Sequence, residues 1–410
     1  MRVMTALTFV LASATSAYAA DNESFIEQVG ARNTTSVSQT SGNNRQGALQ
    51  VGKNNSAAVS QASSSNAASN ASGSMQVGNK NVVTTTQSAN ASNSTAIANI
   101  SFTSQFGNAN NAVIGQIGGK NNQATMQAGV LNSAVTTQTN SAAGTDPVAT
   151  NGSVTAQFGK NNLTQTSQNT ADASFIVPTF GMSNRATTLQ VGNGNQAFNS
   201  QDAAPSGGNS FTDASPNAAA TVQVGTKNVA STSQDGSSLR EEGHVSLADG
   251  LPIPNGSVTT QFGTANEAFV TQLNGVNAQA TLQVGSKNVA TTSQQNAPDS
   301  VFGNNAALSV QIGNQNTAAT SQVMNGLFAG WTNTSLIAQT GSQNQAYASQ
   351  TTTGYGDILN PGSANAQATV QIGSGNYAMT SQSYNGTAAN TSAVAQYGSH
   401  NTAIVAQRSK

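Results

Sequence analysis

The chain has 410 residues, of which 7% are charged and 36% hydrophobic, with a net charge of −1 and no cysteine. Without cysteine there are no disulfides or thiolate metal sites, and so balanced and sparse a charge excludes an electrostatically driven nucleic-acid binder. A composition rich in Asn, Gln, Ser and Thr is equally compatible with disorder, so order has to be argued from spacing.

The first predicted element is a secretory signal peptide over residues 1–19. Arg2 precedes the mostly apolar run Ala6 to Ala12, and Ala17-Tyr18-Ala19 precedes the cleavage point. No later stretch reaches the ~20 apolar residues of a membrane-spanning helix. Residues 20–410 are therefore expected to be one exported domain with no transmembrane segment, either secreted or deposited at the cell surface.

From Asn22 onward one frame recurs 14 times: Asn, five residues, Gln, one, Gly, two, Asn, five, Gln. The first copy is Asn22, Gln28, Gly30, Asn33 and Gln39. The tenth is Asn277, Gln283, Gly285, Asn288 and Gln294, and the last is Asn390, Gln396, Gly398, Asn401 and Gln407. Self-similarity at a period of roughly 20–50 residues marks a repeat architecture. Within each seven-residue segment the odd positions follow one scheme, Asn, then mostly Ala, Ser, Gln or Thr, then mostly Thr, Val or Ile, then Gln, as in Asn277, Gln279, Thr281 and Gln283; this period of two with frequent β-branched residues predicts strands. The Gly of the connecting arc suits a turn that needs positive φ or close backbone approach.

Two strands and two turns per copy predict an all-β solenoid of about 14 two-stranded coils, ~65–70 Å long at ~4.8 Å per coil. One edge carries tight arcs. The other carries loops of four residues (Thr40 to Asn43) up to 20 (Asp235 to Pro254), and all eight prolines fall in these loops, where no ladder N–H is lost. Stacking places like amides above one another, so each is expected to donate to the next in a continuous ladder. The first coil opens three residues after the predicted cleavage point and the last closes three before Lys410. Neither leaves room for a capping element, and both strand edges are expected to accept another chain.

Two further patterns accompany the frame. Arg32, Lys53, Lys80, Lys160, Lys227 and Lys287 sit in tight arcs, whereas acids such as Asp146, Asp202, Asp235, Glu241, Glu242 and Asp357 sit in the variable loops. A basic edge and an acidic edge are expected; the simpler account is that turns hold charges because strands cannot, and the alternative is that opposite edges of neighbouring copies attract or that the basic edge holds an anionic polymer. On the first strand, apolar residues flank the central Gln, as in Leu49, Met75, Leu282 and Val310 before it and Val51, Phe106, Phe262 and Ile312 after it. An amide face turned inward leaves these as an exposed or loop-covered stripe suited to lateral packing or adhesion; reversed faces would bury them instead.

No catalytic or cofactor-binding constellation emerges, and no metal site. His244 and His400 are expected to lie far apart. No Asp recurs at a fixed place in the frame as calcium repeats require, and no Gly-rich arc opens a helix that could cradle phosphate. An enzyme is not predicted.

The frame resembles the curlin repeat of bacterial curli subunits, Ser-x5-Gln-x-Gly-x-x-Asn-x-Ala-x3-Gln. Gln283, Gly285, Asn288, Ala290 and Gln294 match it fully in the tenth coil; in the first, Gln28, Gly30, Asn33 and Gln39 match while Thr35 replaces the Ala. The resemblance covers the predicted mature chain. It implies a secreted functional-amyloid subunit that polymerises with itself into extracellular fibres for adhesion and biofilm matrix, with an outer-membrane secretion pore and a minor nucleating subunit as partners. The chain departs from the family in having Asn for the opening Ser in every coil, 14 coils where the family has far fewer, long loops, and no leader before the first repeat. The alternatives are the nucleating role itself, or a monomeric solenoid binding a glycan or another surface ligand. An ice-binding face would need a uniform outward Thr array, whereas the equivalent positions Phe198 and Ser231 differ.

Overall fold

The computed structural model describes residues 22–64, 68–89, 97–140, 150–170, 183–203, 217–236, 255–274, 276–296, 304–326, 332–354, 365–384 and 389–409. It divides into two units, 1–194 and 195–410. The expected signal peptide, all eight prolines, His244, Asp146, Glu241, Glu242 and Asp357 lie outside the described residues.

The described residues of the first unit hold thirteen strands. Its odd strands are β1 (Glu23–Ala31), β3 (Asn43–Lys53), β5 (Ala68–Asn79), β7 (Ile97–Asn108), β9 (Asn121–Val130), β11 (Thr150–Lys160) and β13 (Ser183–Asn193). Its even strands are β2 (Thr34–Thr40), β4 (Ser56–Ser63), β6 (Val82–Ala89), β8 (Asn111–Gly118), β10 (Ser133–Asn140) and β12 (Leu163–Thr170). The second unit continues the even series with β14 (Gln196–Asp202), β16 (Val229–Asp235), β18 (Glu267–Leu273), β20 (Val289–Asn296), β22 (Thr317–Gly326), β24 (Gln345–Gly354), β26 (Tyr377–Tyr384) and β28 (Thr402–Ser409). Its odd strands are β15 (Asn217–Thr226), β17 (Asn255–Thr264), β19 (Val276–Ser286), β21 (Asn304–Asn314), β23 (Thr332–Ser342), β25 (Asn365–Ser374) and β27 (Asn390–Ser399).

In each unit the odd strands make one parallel sheet and the even strands another, each strand pairing with the one two places away. Each unit is thus a stretch of all-β solenoid whose coils are an odd strand followed by an even one. The register repeats the sequence frame: Gln28 faces Gln50 and Gly30 faces Gly52, while Asn277 faces Asn305 and Gln283 faces Gln311. A slip of one residue would turn every amide outward, so the five fixed positions lock the register.

The strands alternate as period two demands, and β19, for example, runs iBeBiBiBeii in burial. The inward positions are amides and small residues. Besides the frame amides they include Ala57, Ala112, Ala197, Ala290 and Ala378 on the even strands and Thr103, Thr155, Thr221 and Thr259 on the odd ones. Conventional apolar clusters are small, such as Val83, Ala112 and Ile114, or Ala318, Ile337, Ala346 and Ala348. Among the described residues no buried position carries a formal charge.

The odd strands are longer than the predicted seven residues because they run through the Gly, which keeps its place in the ladder. Both expected reasons for that Gly hold. Gly285 has φ +122°, and a Cβ there would stand 1.9 Å from the carbonyl oxygen of Gly313 in the next coil. Two residues on, the chain is left-handed again: φ is 56° at Arg32, 57° at Lys80, 56° at Lys227 and Lys287, and 57° at His400. This second positive φ is usually occupied by a residue other than Gly and was not evident from the sequence.

Candidate functional site

The fixed positions come together as four columns of side-chain amides lining the interior of each unit. The first Gln of each coil runs along the odd sheet. Gln28 Nε2 donates to Gln50 Oε1 (2.6 Å), Gln50 to Gln76 (2.7 Å) and Gln76 to Gln105 (3.0 Å). In the second unit Gln283 donates to Gln311 (2.8 Å), Gln311 to Gln339 (2.9 Å) and Gln371 to Gln396 (2.7 Å). The closing Gln makes the same column on the even sheet, as from Gln39 to Gln61 (2.9 Å), Gln294 to Gln322 (2.8 Å) and Gln382 to Gln407 (2.8 Å).

Each Gln amide has a second N–H, and it crosses the core. Gln311 Nε2 also donates to the carbonyl of Val289 on β20, and Gln294 Nε2 to that of Ala278 on β19, both at 2.9 Å. The Gln columns therefore hold the two sheets together as well as the coils, a role usually filled by apolar packing. Such a buried amide is tolerable only when its donors and acceptors are paired.

The two Asn columns donate in the opposite direction along the chain. Asn44 Nδ2 donates back to Asn22 Oδ1 (2.9 Å), Asn277 back to Asn255 (2.9 Å) and Asn390 back to Asn365 (3.0 Å). The Asn after each arc also organises the turn. Asn288 Nδ2 donates to Asn266 Oδ1 (3.1 Å), to the Val284 carbonyl across its own arc (3.4 Å) and to the Gly313 carbonyl of the next coil (2.8 Å), while its backbone N–H donates to Asn266 Oδ1 (3.1 Å). Asn33 and Asn401 stand in the same place at the outermost described coils, donating to Val29 and Tyr397 carbonyls. Asp would lack the donors and Gln would overreach the arc, which accounts for the invariance of this position within the chain.

One contributor was not foreseen. The residue two beyond the closing Gln also points inward where the turn allows, and its side chain supports the opening Asn. Ser63 Oγ donates to Asn44 Oδ1 and Thr352 Oγ1 to Asn333 Oδ1, both at 2.8 Å. The same place is filled by Met324 and Tyr384, each 1% exposed. No single residue type holds that place, where Ser, Thr, Asn, Ala, Gly, Met and Tyr all occur, because the loop that follows varies.

The amide face is internal and the apolar row stands outside: Phe106 is 37% exposed, Phe262 40% and Ile312 44%. Leu49 is an exception at 3%. Arg32, Lys53, Lys80 and Lys160 in the first unit, and Lys227 and Lys287 in the second, are all exposed on the arc edge. Lys53 and Lys160 close β3 and β11, and the other four occupy the left-handed position. On the acidic side, Asp202 and Asp235 belong to strands, not loops: they close β14 and β16 and face each other in register. An exposed pair, Arg45 Nε to Glu23 Oε2 at 3.3 Å, joins β1 and β3.

Among the described residues no group of three or more His, Cys, Asp or Glu side chains could hold a metal ion, and no helix is long and apolar enough to cross a membrane. The outer edges of β1, β2, β27 and β28 pair with no described strand. No protein-family model and no curated protein sequence matches this chain.

Proposed function

We propose that the chain is a structural subunit of extracellular, curli-like amyloid fibres that assembles by strand addition at its outer coils, serving adhesion and biofilm matrix. The observation that carries this reading is the direction of the amide columns. At β27 and β28 the Gln columns arrive with N–H groups leading and the Asn columns with carbonyl oxygens leading; at β1 and β2 each role is reversed. One edge thus offers donors where the other offers acceptors. A second copy arriving in parallel register would extend all four columns.

Head-to-tail addition in parallel register is the arrangement that continues each column with its own kind, Gln to Gln and Asn to Asn. A secreted route with a pore and a nucleating subunit fits the curlin resemblance of the frame. The test is fibre diffraction, with light scattering and thioflavin fluorescence, on chain beginning at Ala20 in plain buffer. A ~4.7–4.8 Å meridional reflection with concentration-dependent growth is expected. A stable monomer with β circular dichroism would refute the fibre reading and favour a ligand-binding solenoid.

A further inference from the structure

The two sheets of the second unit have outer faces that differ in charge, although the even sheet also exposes Phe269, Met379 and Ile404. Every outward position on β15, β17, β19, β21, β23, β25 and β27 is uncharged, and between the opening Asn and the Gly of each strand most are Ala, Val, Leu, Ile or Phe, the others being Gly256, Thr260, Thr334, Thr340, Thr391 and Tyr397. Val258, Phe262, Leu308, Ile312 and Ile372 there are 40–49% exposed. The even sheet of the same unit carries Asp202, Asp235, Glu267 and Arg408 outward, with a column of hydroxyls just before the closing Gln that includes Ser233, Thr271, Ser293 and Ser321.

Seven strands at ~4.8 Å spacing and seven residues at ~3.3 Å rise make this apolar face roughly 34 by 23 Å, or about 800 Å². Monomeric proteins rarely expose an apolar patch beyond a few hundred Å², whereas about 800 Å² per partner is the area of a standard stable interface. The absence of any charge removes the means of holding an anionic polymer or a lipid headgroup. What the face does match is itself: uncharged, mostly aliphatic residues stacked in register, as in the column Val284, Ile312, Thr340 and Ile372, able to pack against a second sheet ~10 Å away.

We infer that the odd sheet of the second unit is a pairing face on which two copies of the chain pack sheet to sheet, leaving both hydroxyl-bearing even sheets toward water. This lateral contact is independent of end-to-end growth. Sedimentation velocity on the soluble full chain, and mass per length by scanning transmission electron microscopy on any fibres, test it with two double variants. Leu308→Lys with Ile312→Lys places charge on the pairing face; Ser293→Lys with Ser321→Lys places the same charge on the even sheet, and β circular dichroism checks that both fold.

The native chain and the even-sheet variant are expected to sediment as dimers, and the odd-sheet variant as a monomer with pairing weakened at least a hundredfold. Fibres, where they form, should halve in mass per length in the odd-sheet variant alone. A monomeric native chain, or equal dissociation of both variants, would overturn the inference, as would flotation of native monomer with neutral phosphatidylcholine vesicles. Native dimers that never lengthen would sink the fibre reading and leave the pairing face standing. Native fibres of single mass per length would do the reverse.

Discussion

Replacing Gln311 by Met measures what an amide column contributes, because Met keeps the length of the side chain and removes its polarity. Gln311 is 0% exposed and makes three side-chain hydrogen bonds: it donates to Gln339 Oε1 and the Val289 carbonyl, both at 2.9 Å, and accepts from Gln283 Nε2 at 2.8 Å. At ~1 kcal/mol net per bond, their loss costs about 3 kcal/mol. Leaving the Gln283 donor and the Gln339 acceptor without this partner adds ~1–3 kcal/mol. Burial of the thioether returns ~1–2 kcal/mol, so about 3 kcal/mol of local stability should disappear. Because a stack of coils does not unfold as one unit, the assay is native-state hydrogen exchange of β19, β21 and β23 by mass spectrometry. At 1.4 kcal/mol per factor of ten, exchange there should quicken roughly a hundredfold. Ser321→Met, on the exposed outer face of β22, is the control and should leave exchange unchanged. Equal protection in Gln311→Met and the native chain would mean that the columns are incidental to the stability of the coils.

Gly285→Ala forces a Cβ to within 1.9 Å of the Gly313 carbonyl at φ +122°; it should separate the neighbouring arcs and lower the thermal midpoint more than any outward Ala substitution on β19. Thr259→Val should act the other way, since the Thr259 hydroxyl is buried and finds no hydrogen-bond partner, and removing it should stabilise by ~1 kcal/mol in the same exchange assay. Gln311→Glu makes stability pH-dependent. Burial raises the carboxyl in the folded chain above its unfolded value of ~4.3, so the penalty is absent below that value and grows as pH rises past it; protection of β21 measured at pH 4 should exceed that at pH 7, and a flat profile would refute the argument.

The coil, its register and its two-sheet cross-section were legible because the chemistry is periodic. A column of amides works only if each copy places Gln and Asn at the same height, so the requirement is written into the chain 14 times. The arc Gly was legible for the same reason, each one facing the backbone of the next. What escaped was fixed by geometry that tolerates many side chains. The left-handed residue two places after Gly can be Arg, Lys, Asn, Ala, Leu, Gln, His or Gly, since the constraint falls on its backbone. The crossing donation from Gln to the opposite sheet ends on carbonyls, such as that of Val289, that any residue supplies. The charge difference between the two outer faces is carried by Asp202, Asp235, Glu267 and Arg408, at places in the frame that most coils fill with uncharged residues.

The opposed directions of the Gln and Asn columns have a further consequence. An amide bonded head to tail with its neighbours carries a dipole along the stack, and aligned peptide dipoles in a helix accumulate to about half an elementary charge at each end. Here two columns point one way, as from Gln283 to Gln311 and Gln294 to Gln322, and two point the other, as from Asn305 to Asn277 and Asn316 to Asn288. Their fields largely cancel across a core only two sheets thick. Adding a coil therefore leaves the polarisation at the tips nearly unchanged, and lengthening meets no electrostatic limit of its own making.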